Sequence, residues 1–487
     1  MKILRSLLVL VPLVLVGCHD DMDDVLRPAD NLEINEFIWR GMNNIYLYKE
    51  DIPQLADDYF STKEELADFL RKYPDPEDLF YDALVSPQDR FSFLVDDCVE
   101  LEKSFSGISL SPGMDYGLAR LSGSENIIGY VRYVLPNTSA ARAGINRGDI
   151  FYAVDGIELT LENYRELLNR KNLILDLAEA QGNQLVRTGV SISLEQEEYT
   201  ENPVYLTRVF ETSSGKVGYL MYNSFTHNFD PELNKVFGEF QSEGLTDLIL
   251  DLRYNGGGSV ETAVDLSSMI TGQYDGEIFA KQQWNEDYQE YFETNDPEGL
   301  INRFNSKIHT GEAINSLNLF RLYVLTTGST ASASELVING LSPYIEVIQV
   351  GTKTTGKFQA SVTLYDSPDF NRRNASVNHK YAIQPLIYKS MNSAGKTDYI
   401  EGLPPAIPAV EDILNLGILG DPDEPLLSAA LNHIEGNSTL MMFSTSSKDS
   451  FEVIDESGSM DILYQQMYLP ELEEGLSVPT QDWKLPQ

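Results

Sequence analysis

The segment Gly328-Ser-Thr-Ala-Ser-Ala-Ser-Glu335 carries a candidate nucleophile, and twenty-five residues after Ser332 comes the lysine of Gly351-Thr-Lys-Thr-Thr-Gly-Lys357. A serine hydroxyl attacks a carbonyl only after something removes its proton, and a lysine can do so only if burial lowers its pKa toward neutrality. Such a pair needs no histidine. A third segment, Asp251-Leu-Arg-Tyr-Asn-Gly-Gly-Gly258, puts three glycines directly after an apolar run that begins at Leu248. Glycines let backbone amides approach a developing negative charge closely, which an oxyanion hole requires. Each piece also has an ordinary reading: Ser/Ala runs occur where helices pack closely, and glycine triplets make turns. The run Gly351-x-x-x-x-Gly356-Lys357 also matches the first part of a phosphate-binding loop. There, however, Phe358 stands where Ser or Thr should bind magnesium, and the chain leads into the strand-like Ala360 to Leu364 rather than a helix.

The flanking elements decide whether these residues can meet. Leu322 to Thr326 reads as a buried strand, Gly328 to Thr330 as a tight turn, and Ala331 to Leu341 as a helix with Ala333, Leu336, Val337 and Gly340 on its apolar face. Ser332 therefore falls at a strand-to-helix turn, near N–H groups with no intrahelical partner. Ile345 to Val350 reads as the next strand, and Lys357 lies just beyond its end. Leu248 to Arg253 is a further strand, followed after the glycines by a helix over Val260 to Ile270. Strand-helix-strand order can fold the lysine back toward the serine.

Taken together, the order and spacing of these three segments resemble the tail-specific, or C-terminal processing, serine peptidases. The resemblance runs from about Phe105 to Gly436. It implies a catalytic domain of the ClpP/crotonase-like α/β type, with Ser332 as nucleophile, Lys357 as general base, and an oxyanion hole from the backbone N–H groups of Gly257 and Ala333. Many members place a glutamine four residues after the lysine to orient it; here that position is Ser361, and the nearest glutamine is Gln359. Alternate strand residues face the same way, so Gln359 or Ser361 could take that task. Of the two, Gln359 is counted among the candidate catalytic residues.

Upstream, Ser139-Ala-Ala-Arg-Ala-Gly-Ile-Asn-Arg-Gly-Asp149 and Ile150-Phe-Tyr-Ala-Val-Asp-Gly156 resemble the PDZ modules of proteases. A short helix from Ser139 to Ala143 should end at Gly144, and Ile150 to Val154 should be a strand closed by the Asp155-Gly156 turn. Such a module binds an extended peptide at a sheet edge. The backbone at Tyr116, Gly117 and Leu118 is the candidate cradle for a substrate's terminal carboxylate. A purely structural domain that shields the active site is the alternative.

At the N-terminus, Lys2 and Arg5 precede an apolar run from Leu7 to Val16 that ends Leu15-Val-Gly-Cys18. The run is short for a membrane span, and its end resembles a bacterial lipobox that would make Cys18 the lipidated first residue of the mature chain. The acidic stretch His19-Asp-Asp-Met-Asp-Asp24 follows, either as a solvated spacer or as something resembling a surface-export signal. These features imply a bacterial cell-envelope protein, lipid-anchored at the outer membrane, on its periplasmic side or on the cell surface. Cys98 is the other cysteine, so no internal disulfide is expected once Cys18 is acylated.

The chain has 487 residues, is 42% hydrophobic and carries a net charge of −40, which argues against nucleic acid as a partner. The five histidines (His19, His227, His309, His379, His433) are scattered and none lies in a motif, so neither a metal site nor a Ser-His-Asp triad is expected. No cofactor is called for.

The expected organisation is α/β and multidomain. Residues 1–18 form a signal peptide, 19–30 an acidic linker, 31–107 an N-terminal helical region, 108–200 a β-rich PDZ-like domain, 201–436 the α/β catalytic domain, and 437–487 an irregular tail. The function expected is a serine endopeptidase acting on envelope proteins or peptides through an acyl-enzyme. A non-cleaving peptide-binding lipoprotein on the same fold is the alternative.

Overall fold

The structure is a computed structural model, and it describes residues 28–181, 184–437 and 451–469. Its centre is a six-stranded sheet in the order Val204–Thr212, Gly215–Tyr222, Asp247–Asp251, Arg321–Thr326, Glu346–Gly351 and Ile407–Pro408. All neighbours after the first hairpin are parallel. Parallel strands need crossover connections, and here the helices Asp230–Glu243, Val260–Thr271 and Ala333–Leu341 supply them. That is why these strands read as near-continuous apolar runs: both faces are covered. Leu248, Leu250, Leu322 and Val324 pack into the main core on one side, while Ile249, Tyr323, Leu325 and Val350 pack with helix Pro425–Ile434 on the other.

This topology brings the three sequence motifs together. Asp247–Asp251, Arg321–Thr326 and Glu346–Gly351 are successive neighbours in register, with Asp251 beside Leu325 and Thr326 beside Gly351. The glycine loop, the serine turn and the lysine turn leave the C-terminal ends of these three adjacent strands. In open α/β sheets that is where ligand sites form.

A second six-stranded sheet runs Gly258–Ser259, Met467–Leu469, Gln359–Val362, Leu386–Asn392, Ile278–Trp284 and Ile301–Arg303. Its second strand belongs to the stretch expected to be an irregular tail. Met467 and Tyr468 pair with Gly258 and Ser259 on one side, and Tyr468 and Leu469 with Ser361 and Val362 on the other. The expectation fails because this three-residue apolar stretch, too short to read as a strand by itself, gains its order from two partners distant in sequence. The segment is thereby wedged between the glycine loop and the strand that follows Lys357.

The PDZ-like unit is built on Met114–Leu121, Ile127–Val134, Ile150–Val154, Asn172–Gln181 and Gln184–Glu195. Helix Ser139–Ala143 ends at Gly144 in the left-handed conformation, as the sequence implies. At its edge lies one more strand, Phe451–Glu456, antiparallel to Met114–Leu121.

The N-terminal region starts with helix Asn31–Ile45, capped by Asp30, whose Oδ1 accepts from the Glu33 amide at 3.0 Å. Its apolar face, including Ile34, Phe37, Ile38 and Met42, belongs to the same core as the main sheet. Strand Phe93–Val95 pairs with Ala382–Gln384, which stitches this region to the catalytic body. Among the described residues, no helix is long and apolar enough to cross a membrane. Cys98 is buried with a free thiol, and Cys18 with its lipobox lies outside the described residues.

Candidate active site

Ser332 sits between strand Arg321–Thr326 and helix Ala333–Leu341 with φ 66° and ψ −116°. A non-glycine residue in such a conformation costs on the order of 1–3 kcal/mol and persists only where its surroundings impose it. Several constraints do so here. The Ala331 amide donates to Asn255 O at 3.1 Å, and Thr330 Oγ1 donates to Leu252 O at 2.8 Å. The Ser332 amide donates to Glu335 Oε2 at 2.8 Å. The side chain is fully buried, and its Oγ makes no hydrogen bond.

Glu335, one turn into the helix, joins the serine turn to the lysine turn. Besides the Ser332 amide, its carboxylate accepts from the amides of Gly356 and Lys357, each at 2.8 Å, and from Thr354 Oγ1. Burial raises its pKa, and these donors oppose the rise. The Ser-Ala-Ser-Glu run thus supplies both a candidate nucleophile and the group that holds the base's loop against it. Spacing alone gave no sign of the second role.

Lys357 is fully buried. Burial lowers its pKa to about 7, against the weaker upward pull of Asp89 and Glu335. Its Nζ donates to Gln466 Oε1 at 2.5 Å and lies 4.7 Å from the centre of the Phe91 ring. Gln466 is held in turn by its Nε2, which donates to Phe91 O at 3.1 Å. Asp89 accepts from the amides of Phe91 and Ser92 and from Tyr46 Oη. Arg90 donates to Gly356 O. The N-terminal region therefore forms one wall of the lysine pocket, a contribution with no motif to betray it.

Gln359 does not meet Lys357. Its Nε2 donates to Tyr48 Oη at 2.9 Å, and its Oε1 accepts from the Phe358 amide. Ser361 donates to Met467 O and accepts from Gln384. The expectation that Gln359 orients the lysine is corrected: the partner is Gln466, 109 residues away in sequence. The physical reason is that Lys357 precedes strand Gln359–Val362, in an irregular turn held by Glu335, so strand alternation does not carry its orientation onto residue 359.

Gly257 has φ +113°, and a Cβ built there would lie 2.6 Å from Ser332 Cβ and 2.8 Å from Gln466 O. Only glycine fits against the serine and the C-terminal strand at once. The amide of Gly257, expected to be a free oxyanion donor, instead donates to Asn255 Oδ1 at 2.8 Å. The Asn255 side chain reaches an amide two residues on, a common local turn. Ala333 is the first residue of its helix, where the N–H has no intrahelical partner.

The Asp-Leu-Arg part of the glycine motif has a supporting role. Arg253 is fully buried and ion-paired with Asp251, Glu411 and Glu424, the last at the start of helix Pro425–Ile434. Arg147 and Arg253 hold the Glu411 carboxyl down to about 2 although burial pushes it the other way. Arg147 and Arg132 of the PDZ-like unit pack over the Tyr254 ring. Arg132 also pairs with Asp115 and Glu456 and donates to Ser329 in the serine turn at 3.1 Å.

The candidate carboxylate cradle at Tyr116, Gly117 and Leu118 is not an open edge. Glu456 lies opposite Gly117 and Asp455 opposite Leu118, and the Tyr116 amide donates to Ser457 Oγ at 3.1 Å. The chain's own C-terminal stretch occupies the edge expected for a substrate. The histidines also need a correction: His227 and His309, far apart in sequence, lie with ring centroids 3.7 Å apart beside Asp230.

Sequence comparison agrees with this architecture. The profile of peptidase family S41 matches residues 216–386, that of the S41 N-terminal domain 33–93, and that of a PDZ domain 130–179. The chain is 24% identical over 358 residues to a carboxyl-terminal-processing protease of Picosynechococcus sp., covering 69% of this chain and 77% of that protein. It is 25% identical over 350 residues to the chloroplastic C-terminal processing peptidase of Tetradesmus obliquus, covering 67% and 65%. The crystal structure of a putative S41 protease from Bacteroides fragilis superimposes with a TM-score of 0.64 at 27% identity, over 82% of this chain and 97% of that one. The serine, lysine and glycine-loop motifs that follow three adjacent parallel strands fall within the span matched by peptidase family S41, and the PDZ match precedes it, so the chain is similar to the S41 serine peptidases in both sequence and fold.

Proposed function

We propose that the protein is a serine endopeptidase of the cell envelope that cleaves proteins or peptides with a Ser332–Lys357 dyad. The observation that carries this reading is the buried Lys357, held near neutrality by desolvation and positioned by Gln466 and Glu335 next to the serine turn. A lysine whose pKa is close to ambient pH is unprotonated often enough to act as a base and, once protonated, acidic enough to return the proton.

In this mechanism neutral Lys357 takes the Ser332 proton as Oγ attacks the scissile carbonyl carbon. The resulting oxyanion is met by the Ala333 N–H and by the Gly257 N–H, which exchanges Asn255 for the stronger charged acceptor. Collapse of the tetrahedral species breaks the C–N bond, and the Lys357 ammonium protonates the departing amine. Water then attacks the acyl-enzyme, giving its proton to Lys357. Collapse releases the new carboxyl terminus and returns the proton to Ser332. Gln466 Oε1 accepts one Lys357 N–H throughout, which leaves the nitrogen lone pair directed elsewhere. Gln466 gives Lys357 the orienting contact that neither Gln359 nor Ser361 makes, which supports cleavage over peptide binding alone.

The PDZ domain engages substrate tails only after Phe451–Glu456 leaves its edge, so in the resting protein that strand acts as an internal ligand. The lipobox at Cys18 would anchor the protein to the outer membrane. The test is incubation of the purified chain with unstructured polypeptides and sequencing of the fragments. Cleavage by the wild-type chain with none by Ser332→Ala supports the reading, and equal cleavage by both sinks it.

A further inference from the structure

A second cluster of reactive side chains lies away from the dyad, where the glycine loop is clasped by its neighbour. The Phe225 amide donates to Gly257 O, and Phe225 O accepts from the Ser259 amide. Two residues beyond, His227 opens a helical turn that leads to Asp230 at the start of helix Asp230–Glu243. His309 approaches from the long connection between strands Ile301–Arg303 and Arg321–Thr326. His309 Nδ1 lies 3.2 Å, and His227 Nδ1 3.4 Å, from one atom, Asp230 Oδ2, and one ligand atom from each of the three residues lies within 4.8 Å of the others.

Hydrogen bonding alone leaves this cluster unsatisfied. Asp230 and Asp265 are fully buried, yet Asp230 Oδ1 and Asp265 Oδ2 have no hydrogen-bond partner, and neither has His227 Nδ1. Buried carboxylate oxygens without donors cost about 1–3 kcal/mol each or more, so such atoms call for an explanation. Glu261 adds a third carboxylate, with Oε2 3.9 Å from His227 Nδ1. Among the described residues, no lysine or arginine pairs with Asp230, Glu261 or Asp265. Among the described residues, the groups that face Asp230 Oδ2 are the two imidazoles and the Thr262 hydroxyl, and no permanently charged side chain offsets these carboxylates.

The geometry points to a divalent-metal site formed by His227, Asp230 and His309, with Glu261 or water completing the shell, that takes zinc or another late first-row ion. Two imidazoles and a carboxylate are the ligand types such ions prefer. With metal–ligand bonds of about 2.0–2.1 Å, tetrahedral ligand atoms stand about 3.3 Å apart. The two histidine–Asp230 separations, 3.2 and 3.4 Å, match that spacing, and all three ligand atoms lie within 4.8 Å of one another. Thr262 Oγ1 donates to Asp230 Oδ2, and Asn305 donates to Asp265 Oδ1 at 2.8 Å, so the surrounding shell is already fixed. A bound ion would tie together the turn after Phe225, the helix that follows the glycine loop, and the connection carrying His309. Its role is to brace the clasp on Gly257 and Ser259. The peptidase reading does not depend on it.

The test uses the full chain with a tag free of histidine, stripped with chelator, dialysed, and titrated with zinc chloride by calorimetry. Metal content is measured after gel filtration. The wild type should retain about one equivalent, melt at a higher temperature with zinc, and show a tetrahedral d–d spectrum when loaded with cobalt. His309→Ala, and separately His227→Ala, should bind about 100-fold more weakly or not at all and lose the zinc-dependent rise in melting temperature. Should either variant fold poorly, the other and the wild-type cobalt spectrum still decide. Absence of stoichiometric zinc in the wild type would overturn the assignment. So would wild-type affinity in both variants, or binding that disappears in His19→Ala while surviving in the cluster variants.

Discussion

At the PDZ edge, Phe451–Glu456 lies along Met114–Leu121 as an added strand held by main-chain pairing, with Val453 61% exposed to solvent. In the lysine pocket, ten residues after Glu456, Gln466 is buried against Lys357, and strand Met467–Leu469 pairs with a strand on each side. One continuous stretch therefore closes the first site and completes the second. An edge strand with one partner is the easiest kind of pairing to exchange for another peptide. A central strand with a buried polar anchor is not. Glu456 connects the two sites, since it pairs with Arg132 and contacts Ser329, three residues before Ser332. Displacing the edge strand would leave Arg132 and Ser329 short of a partner, a direct physical route from the PDZ edge to the serine turn.

If the pocket works as described, the largest effects come from its two reacting groups. Ser332→Ala and Lys357→Ala should each lower kcat/KM at least about 1,000-fold, and the double variant should be little worse, because the residues act as one unit. Lys357→Arg should not rescue, since a guanidinium keeps its proton. Steady-state kinetics on folded proteins check this. Additive losses would separate the two residues.

Glu335→Ala should come next. It leaves three buried amides and a hydroxyl without an acceptor. A loss of about 2–4 kcal/mol in urea unfolding is expected, with turnover falling as the two turns separate. An unchanged midpoint would show that the turns hold themselves.

Gln466→Ala should lower kcat by about 10- to 100-fold with little change in KM, because it removes a positioning contact rather than a reacting group. Gln466→Glu should move the ascending, acid-side limb of the pH–rate profile to higher pH, as a carboxylate beside Lys357 favours the ammonium. An identical profile in both variants would break the assignment of Gln466.

The smallest effects belong to the PDZ edge. A chain ending at Asn437 should bind a labelled peptide of sequence 451–460 at least several-fold more tightly than the full chain. It should also distinguish free from amidated C-termini, which the full chain should not. The same truncation should lower turnover, because it removes Gln466. This opposition separates the two sites, and equal peptide binding by both chains would show that the edge is not closed in cis.

What could be read in the sequence was whatever depends on local order. Ser332, Lys357 and the glycine loop stand at ends of strands that their apolar runs disclose, and three such strands in succession with helices between them nearly dictate a parallel sheet. The short helix Ser139–Ala143 ending at a left-handed Gly144 was legible for the same reason. Contacts that depend on which distant segment fills a gap were not. Gln466, Phe91 and Asp89 reach Lys357 from opposite ends of the chain, and the strands around residues 451–469 exist only through their partners. Gln359 shows the cost of extending strand alternation backward into a turn. His227 and His309 show that scatter along the chain says little about distance in the fold.

The central claim is that Lys357 is the base of Ser332 with a pKa near 7. Burial sets the direction: the folded value lies below the roughly 10.4 of an exposed lysine, so the unfolded chain binds more protons between about pH 7 and 10, and this residue's penalty on stability fades as pH rises through that window. The most direct measurement is the rate at which a fluorophosphonate labels the protein as a function of pH, with the modified residue located by peptide mapping. One label is expected, on Ser332, at a rate that rises through about pH 7 and then levels, and almost none in Lys357→Ala. A label on another residue, or a Ser332 rate in Lys357→Ala that follows the same pH curve as wild type, would contradict it.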